Sequence, residues 1–155
     1  MAVAPIPPGY SSVTPYLIVR GAAKAIDFYK RAFGAVELFR FEGPDGTLGH
    51  AEIKIGNSPI MLADGMSEHQ DPLTLGGTAV SFMLYVPDVD AAFARAIAAG
   101  ATVKRPVADQ FYGDRTGTLA DPFGHVWSIG THIEDVSPEE MDRRHKELMK
   151  SGANA

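Results

Sequence analysis

The residues most able to do chemistry fall in three places along the chain. His50 and Glu52 stand two apart in the alternating stretch from Gly49 to Ile55, so both project from one face of a strand. An imidazole beside a carboxylate can begin an acid/base pair or, with further ligands, a metal site. Lys54 continues the same face, and a solvated strand surface is the reading we favour. Tyr112-Gly113-Asp114-Arg115 lie in a loop between strands, where binding groups often sit. There Arg115 could grip a carboxylate or phosphate through two nitrogens while Tyr112 closes over it. Equally, Arg115 could pair with Asp114 or a neighbour and only shape the loop. The third place is Asp121 to His132, a turn (Asp-Pro-Phe-Gly) followed by a strand. Val126, Ser128 and Gly130 share one face of that strand, as small and weakly polar as a pocket floor. Trp127 and Ile129 share the other. His125 faces away from Ser128, and His132 follows the strand, so both are expected to be structural or solvent-exposed. His69 and His145 have no partners in the sequence.

Other chemistries lack their residues. Without cysteine there is no disulfide, thiolate metal site or cysteine nucleophile. The glycines come in turns and never in the Gly-Lys-Ser/Thr ending of a phosphate loop. No serine sits in a nucleophile elbow. A formal charge of -5 argues against a nucleic-acid binder, and no apolar run approaches the roughly 20 residues of a membrane helix. The opening MAVAPIPPGYSS lacks the basic and apolar regions of a secretory signal and reads as an extended arm. A cytoplasmic protein is expected.

The elements that must position these residues repeat. Pro15 to Val19 is strand-like. Ala23 to Phe33 is helical, with Ile26, Tyr29, Ala32 and Phe33 on one stripe and Gly34 as its stop. Strands follow at 36–41, 49–55 and 60–62. A polar, glycine-rich linker spans 66–78, after which the order restarts. Val80 to Val86 is a strand, Val89 to Ala99 a helix stopped by Gly100, and Thr102 to Arg105 a short strand ended by Pro106. A hairpin of 115–120 and 125–131 closes the unit. The two helix-to-glycine segments lie roughly 65 residues apart, so this is a duplicated β-α-β-β-β unit. One helix followed by three short strands fits mixed sheets. Ser137-Pro138-Glu139-Glu140 is a capping box opening a tail helix, expected to pack outside the domain or on a partner chain. The expected divisions are an arm at 1–13, a first module at 14–65, a linker at 66–79, a second module at 80–133, and a C-terminal helix and tail at 134–155.

The duplicated unit, with AIDFYKRAFGA, VPDVDAAFARAIAAGA and DPFGHVW, resembles the vicinal oxygen chelate superfamily. GHAEIKIGNSPIMLAD, QFYGDRTGTLADPFGHVWSIGTH and EDVSPEEM resemble its PhnB-like glyoxalase/bleomycin-resistance branch. The resemblance implies an α+β fold of two tandem modules whose curved mixed sheets surround a trough, with helices outside, and it implies a homodimer. In metal-dependent members one side chain on the first and one on the fourth strand of each half hold a divalent ion. Carried over, these positions are Thr14, Met61, Ser81 and Ser128. Thr, Met, Ser and Ser are not a site for a hard or borderline divalent cation.

Alternation agrees with that placement. Leu17, Val19, Ile60, Leu62, Phe82, Leu84, Trp127 and Ile129 belong under the helices. Thr14, Tyr16, Met61, Ser81, Met83, Tyr85, Val126, Ser128 and Gly130 line the trough. The leading expectation is a protein that binds a small organic or aromatic molecule with no cofactor. Its site would comprise Tyr16, Met61, Met83, Tyr85, Tyr112, Asp114, Arg115 and Ser128, the tyrosines giving stacking area. The alternative is a metal-dependent lyase, isomerase or dioxygenase with relocated ligands such as His50 and Glu52. A purely dimerising module is a third reading.

Overall fold

The structure is a computed structural model that describes residues 2–152; Met1 in the arm and 153–155 in the tail lie outside it. Two four-stranded mixed sheets repeat one topology. In the first, β1 (Tyr16–Val19), β4 (Ser58–Asp64), β3 (Leu48–Ile55) and β2 (Val36–Glu42) lie in that order, with β1 parallel to β4 and the other pairs antiparallel. In the second, β5 (Ser81–Tyr85), β8 (Val126–His132), β7 (Asp114–Ala120) and β6 (Thr102–Asp109) repeat the pattern. Helix α1 (Ala22–Phe33) follows β1 and α3 (Val89–Ala99) follows β5.

The two helices pack on each other and cap each other. Arg95 of α3 donates to the Arg31 and Lys30 carbonyls at the end of α1 (2.6 and 3.2 Å), and Arg31 donates to the Ala99 carbonyl at the end of α3 (3.3 Å). Each guanidinium thus meets the negative end of the other helix dipole. The start of α1 has no capping side chain at Gly21. Asp64, from the end of β4, accepts from the Gly21 and Ala22 amides with one oxygen and from the Leu48 amide with the other, all at 2.8 Å.

One apolar core runs through both modules. Leu17, Val19, Ile60, Leu62, Trp127 and Ile129 are buried in it with Tyr29 and Phe28 of α1 and Phe93 of α3, each large side chain contributing about 1.5–3 kcal/mol. Trp127 lies 4.7 Å from Phe33 and from Phe82, ring centre to ring centre. At its heart is Asp121. One carboxylate oxygen accepts from the Tyr29 hydroxyl (2.6 Å) and the Trp127 indole (3.0 Å), and the other from the Phe123 and His125 amides (both 2.9 Å). Burial, and then the neighbouring carboxylate, push the Tyr29 phenol well above its usual range. His125 adds a further bond between the modules, donating from Nε2 to the Ile18 carbonyl at 2.9 Å.

Two local expectations change. The strand expected to stop at Arg105 continues through Pro106 to Asp109. It is an edge strand with register shifts on either side of Arg105, where a residue without an N–H is tolerated. The linker holds a single helical turn, α2 (Pro72–Leu75), whose Asp71 cap accepts from the Leu73 and Thr74 amides.

Tail helix α4 (Pro138–Lys150) packs outside the sheets, on the loop before β7. Arg144 donates to the Phe111 carbonyl and pairs with Glu134, and the His145 ring lies 5.5 Å from Phe111.

Candidate functional site

The core occupies one side of each sheet, and the other side of each, its trough, carries a cavity. In the second sheet, β5 sends Met83 and β8 sends Ser128 to this side, directly opposite each other. Thr116 and Thr118 of β7 alternate with Gly117 and the buried Leu119, so both threonines point the same way. Thr118 Oγ1 and Ser128 Oγ, cross-strand neighbours, are 2.9 Å apart. Edge strand β6 contributes Arg105 and Ala108, and the following loop Gln110 and Tyr112. Together they enclose a cavity of about 360 Å³. Arg105 has no ion-pair partner among the described residues. Gly130 leaves the room that Met83 occupies, since a Cβ there would overlap the Met83 methyl.

Tyr112 is held by its neighbour. Gly113 has φ of 96°, a left-handed conformation open to glycine. Its carbonyl accepts from the Ile133 and Glu134 amides (2.9 and 3.0 Å). A Cβ on it would overlap the Glu134 carbonyl oxygen, so the segment leading to α4 braces this side of the cavity.

At the end of the same trough the Tyr85 hydroxyl donates to Asp114 (2.7 Å). Asp114 is buried and its other oxygen bonds His132 Nδ1 (2.7 Å), while His132 Nε2 bonds Asp135 (2.8 Å). Asp135 and then Asp114 raise the His132 pKa, and the bond to Asp114 raises that of Tyr85.

The first trough is built differently. Tyr16 of β1 lies opposite Met61 of β4, and Met61 opposite Glu52 of β3. The Tyr16 hydroxyl reaches His50 Nδ1 (2.8 Å), and His50 Nε2 reaches Glu52 Oε1 (3.0 Å). Phe39 and Phe41 of β2 flank the imidazole, with ring centres 5.8 and 6.3 Å away. A cavity of about 440 Å³ opens beside Tyr16, lined by Ile18, Ala63, Met66 and His69 among others.

Of the residues named from the sequence, Met83, Tyr112 and Ser128 line one cavity and Tyr16 lines the other. Met61 and Tyr85 lie on the trough sides. Two expectations are corrected. Arg115 does not reach the trough: it shares a face with Gly117 and Leu119, and pairs with Asp90 at the start of α3 (2.9 and 3.0 Å) and with Asp109 (2.9 Å). Asp114 bonds Tyr85 and His132 instead of Arg115. Nor are His50 and Glu52 a solvated surface, for Glu52 is only 6% exposed and both side chains are bonded. Arg105, Gln110, Thr116 and Thr118 escaped the sequence reading, although the alternation of the threonines with Leu119 was a usable signal.

The residue types can be tested against a divalent ion. Thr14 precedes β1 and Ser81 lies opposite Val126. The positions paired with Met61 and Ser128 across the parallel ladders are Tyr16 and Met83. None of these supplies an imidazole or carboxylate, so they do not fit a chelate for Ni, Zn, Fe or Mn. A metal at His50 would have to displace Tyr16 or Glu52, since both ring nitrogens are engaged. The described residues hold no group of three or more His, Cys, Asp or Glu able to bind a metal.

Residues 11–129 match the family model described as Glyoxalase/Bleomycin resistance protein/Dioxygenase superfamily. The chain belongs to that superfamily. Among its relatives, an uncharacterised protein of Mycobacterium bovis is 48% identical over 135 residues, 84% of this chain and 89% of the relative. The crystal structure of TioX from Micromonospora sp. ML1 has a TM-score of 0.62 at 28% identity, covering 82% of this chain and 100% of TioX. A PhnB protein of Bacillus cereus, 19% identical, shares the fold with a TM-score of 0.61 over 78% of this chain and 99% of its own. This superfamily member keeps the duplicated architecture. No helix among the described residues is long and apolar enough to cross a membrane.

Proposed function

We propose that the chain is a small-molecule binding protein whose ligand lies in the trough of the second sheet and is held without a divalent metal. The observation that carries this reading is the cavity of about 360 Å³ formed by Met83, Arg105, Gln110, Tyr112, Thr116, Thr118 and Ser128, a size within the range of small-molecule sites. Its chemistry names the ligand class. Met83 and Tyr112 offer adaptable apolar and aromatic surface, the Thr116, Thr118 and Ser128 hydroxyls offer donors and acceptors, and Arg105, without an ion-pair partner among the described residues, favours a compound carrying an anionic group. A small aromatic acid meets all three.

Both troughs are open in the single chain. Phe41, Val36, Tyr85 and Val103 are exposed large apolar residues of the two sheets, more than isolated surface residues require. That supports a homodimer in which a second copy covers these faces.

The test is thermal unfolding in EDTA against a panel of small aromatic acids and their neutral analogues. A compound at about 100 times its Kd adds about 2.7 kcal/mol, raising Tm on the order of 5–10 °C for a chain of this length. Arg105→Ala should lose the response to the acids. Stabilisation only on adding Ni, Zn, Fe or Mn would reject the reading.

A further inference from the structure

The first trough carries a polar group that ligand binding in the second does not use. Its hydrogen order follows from the chemistry of the three side chains. A carboxylate only accepts, so His50 carries its proton on Nε2 toward Glu52 Oε1, leaving Nδ1 as an acceptor. Tyr16 must then donate its hydroxyl proton to Nδ1. Glu52 is 6% exposed, and its Oε2 is buried with no hydrogen-bond partner among the described residues. An under-bonded carboxylate inside a sheet is costly unless a positive charge comes to it. His50, bonded to Glu52 Oε1, can supply one by taking a proton at Nδ1.

We infer that Tyr16, His50 and Glu52 form a proton relay, in which the Tyr16 oxygen removes a proton from a neutral, largely apolar molecule in the adjoining cavity. As that proton arrives, the hydroxyl proton of Tyr16 passes to His50 Nδ1. The imidazolium so formed keeps its Nε2–H on Glu52, and the electron pair of the broken bond stays on the molecule as its anion. Charge balances, and no oxidant, reductant or cofactor enters. Tyr16 is the group that meets the molecule, His50 stores the proton, and Glu52 fixes the tautomer. The substrate class follows from the walls. Ile18, Ala63 and Met66 are apolar, no lysine or arginine among the described residues lines this cavity, and the Asp64 carboxylate in its wall is taken up by the Gly21, Ala22 and Leu48 amides, so it suits an uncharged compound with one acidic O–H or C–H next to a carbonyl or aromatic ring.

The protein contains its own control. Tyr85 is also a trough tyrosine, but it donates to a carboxylate, which makes its proton harder to remove. Tyr85 is the more exposed of the two, 60% against 48%, so access alone would favour it.

The experiment uses phenylmethanesulfonyl fluoride, a small neutral aromatic electrophile. Attack by a phenol oxygen forms an O–S bond and breaks S–F. Fluoride leaves, and at Tyr16 the proton goes to His50. Labelling rates of Tyr16, Tyr85 and Tyr112 are read by peptide mass spectrometry on the full chain. Tyr16 should react about ten-fold or more faster than Tyr85. His50→Gln should remove that excess and Glu52→Gln reduce it, with Tyr85 labelling unchanged in both. Equal rates for Tyr16 and Tyr85 in the wild type, or an excess that survives His50→Gln, would overturn the relay. Should either variant fail to fold, nitrogen-15 NMR of His50 in the wild type decides. A proton on Nε2 is expected, and one on Nδ1 overturns the relay. Either outcome leaves ligand binding in the second trough untouched.

Discussion

The two troughs share a topology and differ in what they face. The second sheet presents Thr116, Thr118, Ser128 and Arg105 around Met83. The first presents Phe39, Phe41 and Met61 around a buried carboxylate, with Tyr16 and His50 bonded to it in series. Even their tyrosines are opposed, Tyr16 giving its proton to an imidazole and Tyr85 to a carboxylate. Duplication supplies two equivalent concave faces. In the proposed reading no ion is shared between them, and each takes separate chemistry: recognition of an anionic group in one, proton transfer in the other.

The contrast assumes that both troughs hang from one frame, and Asp121 is where that frame is joined. Asp121→Ala would leave the Tyr29 hydroxyl, the Trp127 indole and two amides without their acceptor. A loss on the order of 3 kcal/mol or more is expected, read from urea unfolding followed by the fluorescence of the single tryptophan. A change below ~1 kcal/mol would show that the modules are held together elsewhere. Gly113→Ala should harm the second trough alone. Clash with the Glu134 carbonyl and the positive φ predict a loss of about 1–3 kcal/mol, along with weakened ligand response and unaltered Tyr16 labelling. Equal damage to Tyr16 labelling would break the separation of the two sites.

Thr118→Val removes one hydroxyl of the pair with Ser128. A cost of about 0.5–1.5 kcal/mol in stability is expected, with lower affinity for the ligand and no change at Tyr16. The smallest effect concerns His132. Its pKa in the folded chain is raised by Asp135 and Asp114 above the ordinary value of about 6.5. The stabilisation is therefore fully present below that ordinary value and is lost as pH rises through the folded value. The stability gap between wild type and His132→Asn should be widest below about pH 6.5 and close as pH rises through the folded value. A gap that widens with pH would contradict the assignment of charge.

Much of the fold was legible because periodicity states it directly. The stripe of Ile26, Tyr29 and Phe33, the stops at Gly34 and Gly100, and the turn at Asp121 each mark a boundary that the chain obeys. Pro106 misled because whether a proline ends a strand depends on its place in the sheet, and edge position is a tertiary fact. The site was less legible for a related reason. Arg115 was grouped with Asp114 as one polar loop, yet the two are neighbours on a strand and point to opposite sides. Glu52 looked solvated beside Lys54, but it lies in the row between Phe39 and Met61 and is buried. Asp121 was visible as a turn residue, while its bond to Tyr29, 92 positions away in the chain, was not.

The central claim is that the second trough holds a small organic anion without a divalent ion. Calorimetric titration of the best aromatic acid from the thermal panel, in EDTA, on wild type and on Ser128→Leu tests it most directly. We expect saturable binding to the wild type, lost in Ser128→Leu while its unfolding midpoint remains cooperative, because the added side chain fills the cavity beside Met83. Binding that requires an added divalent ion, or that is unchanged in Ser128→Leu, would contradict the account.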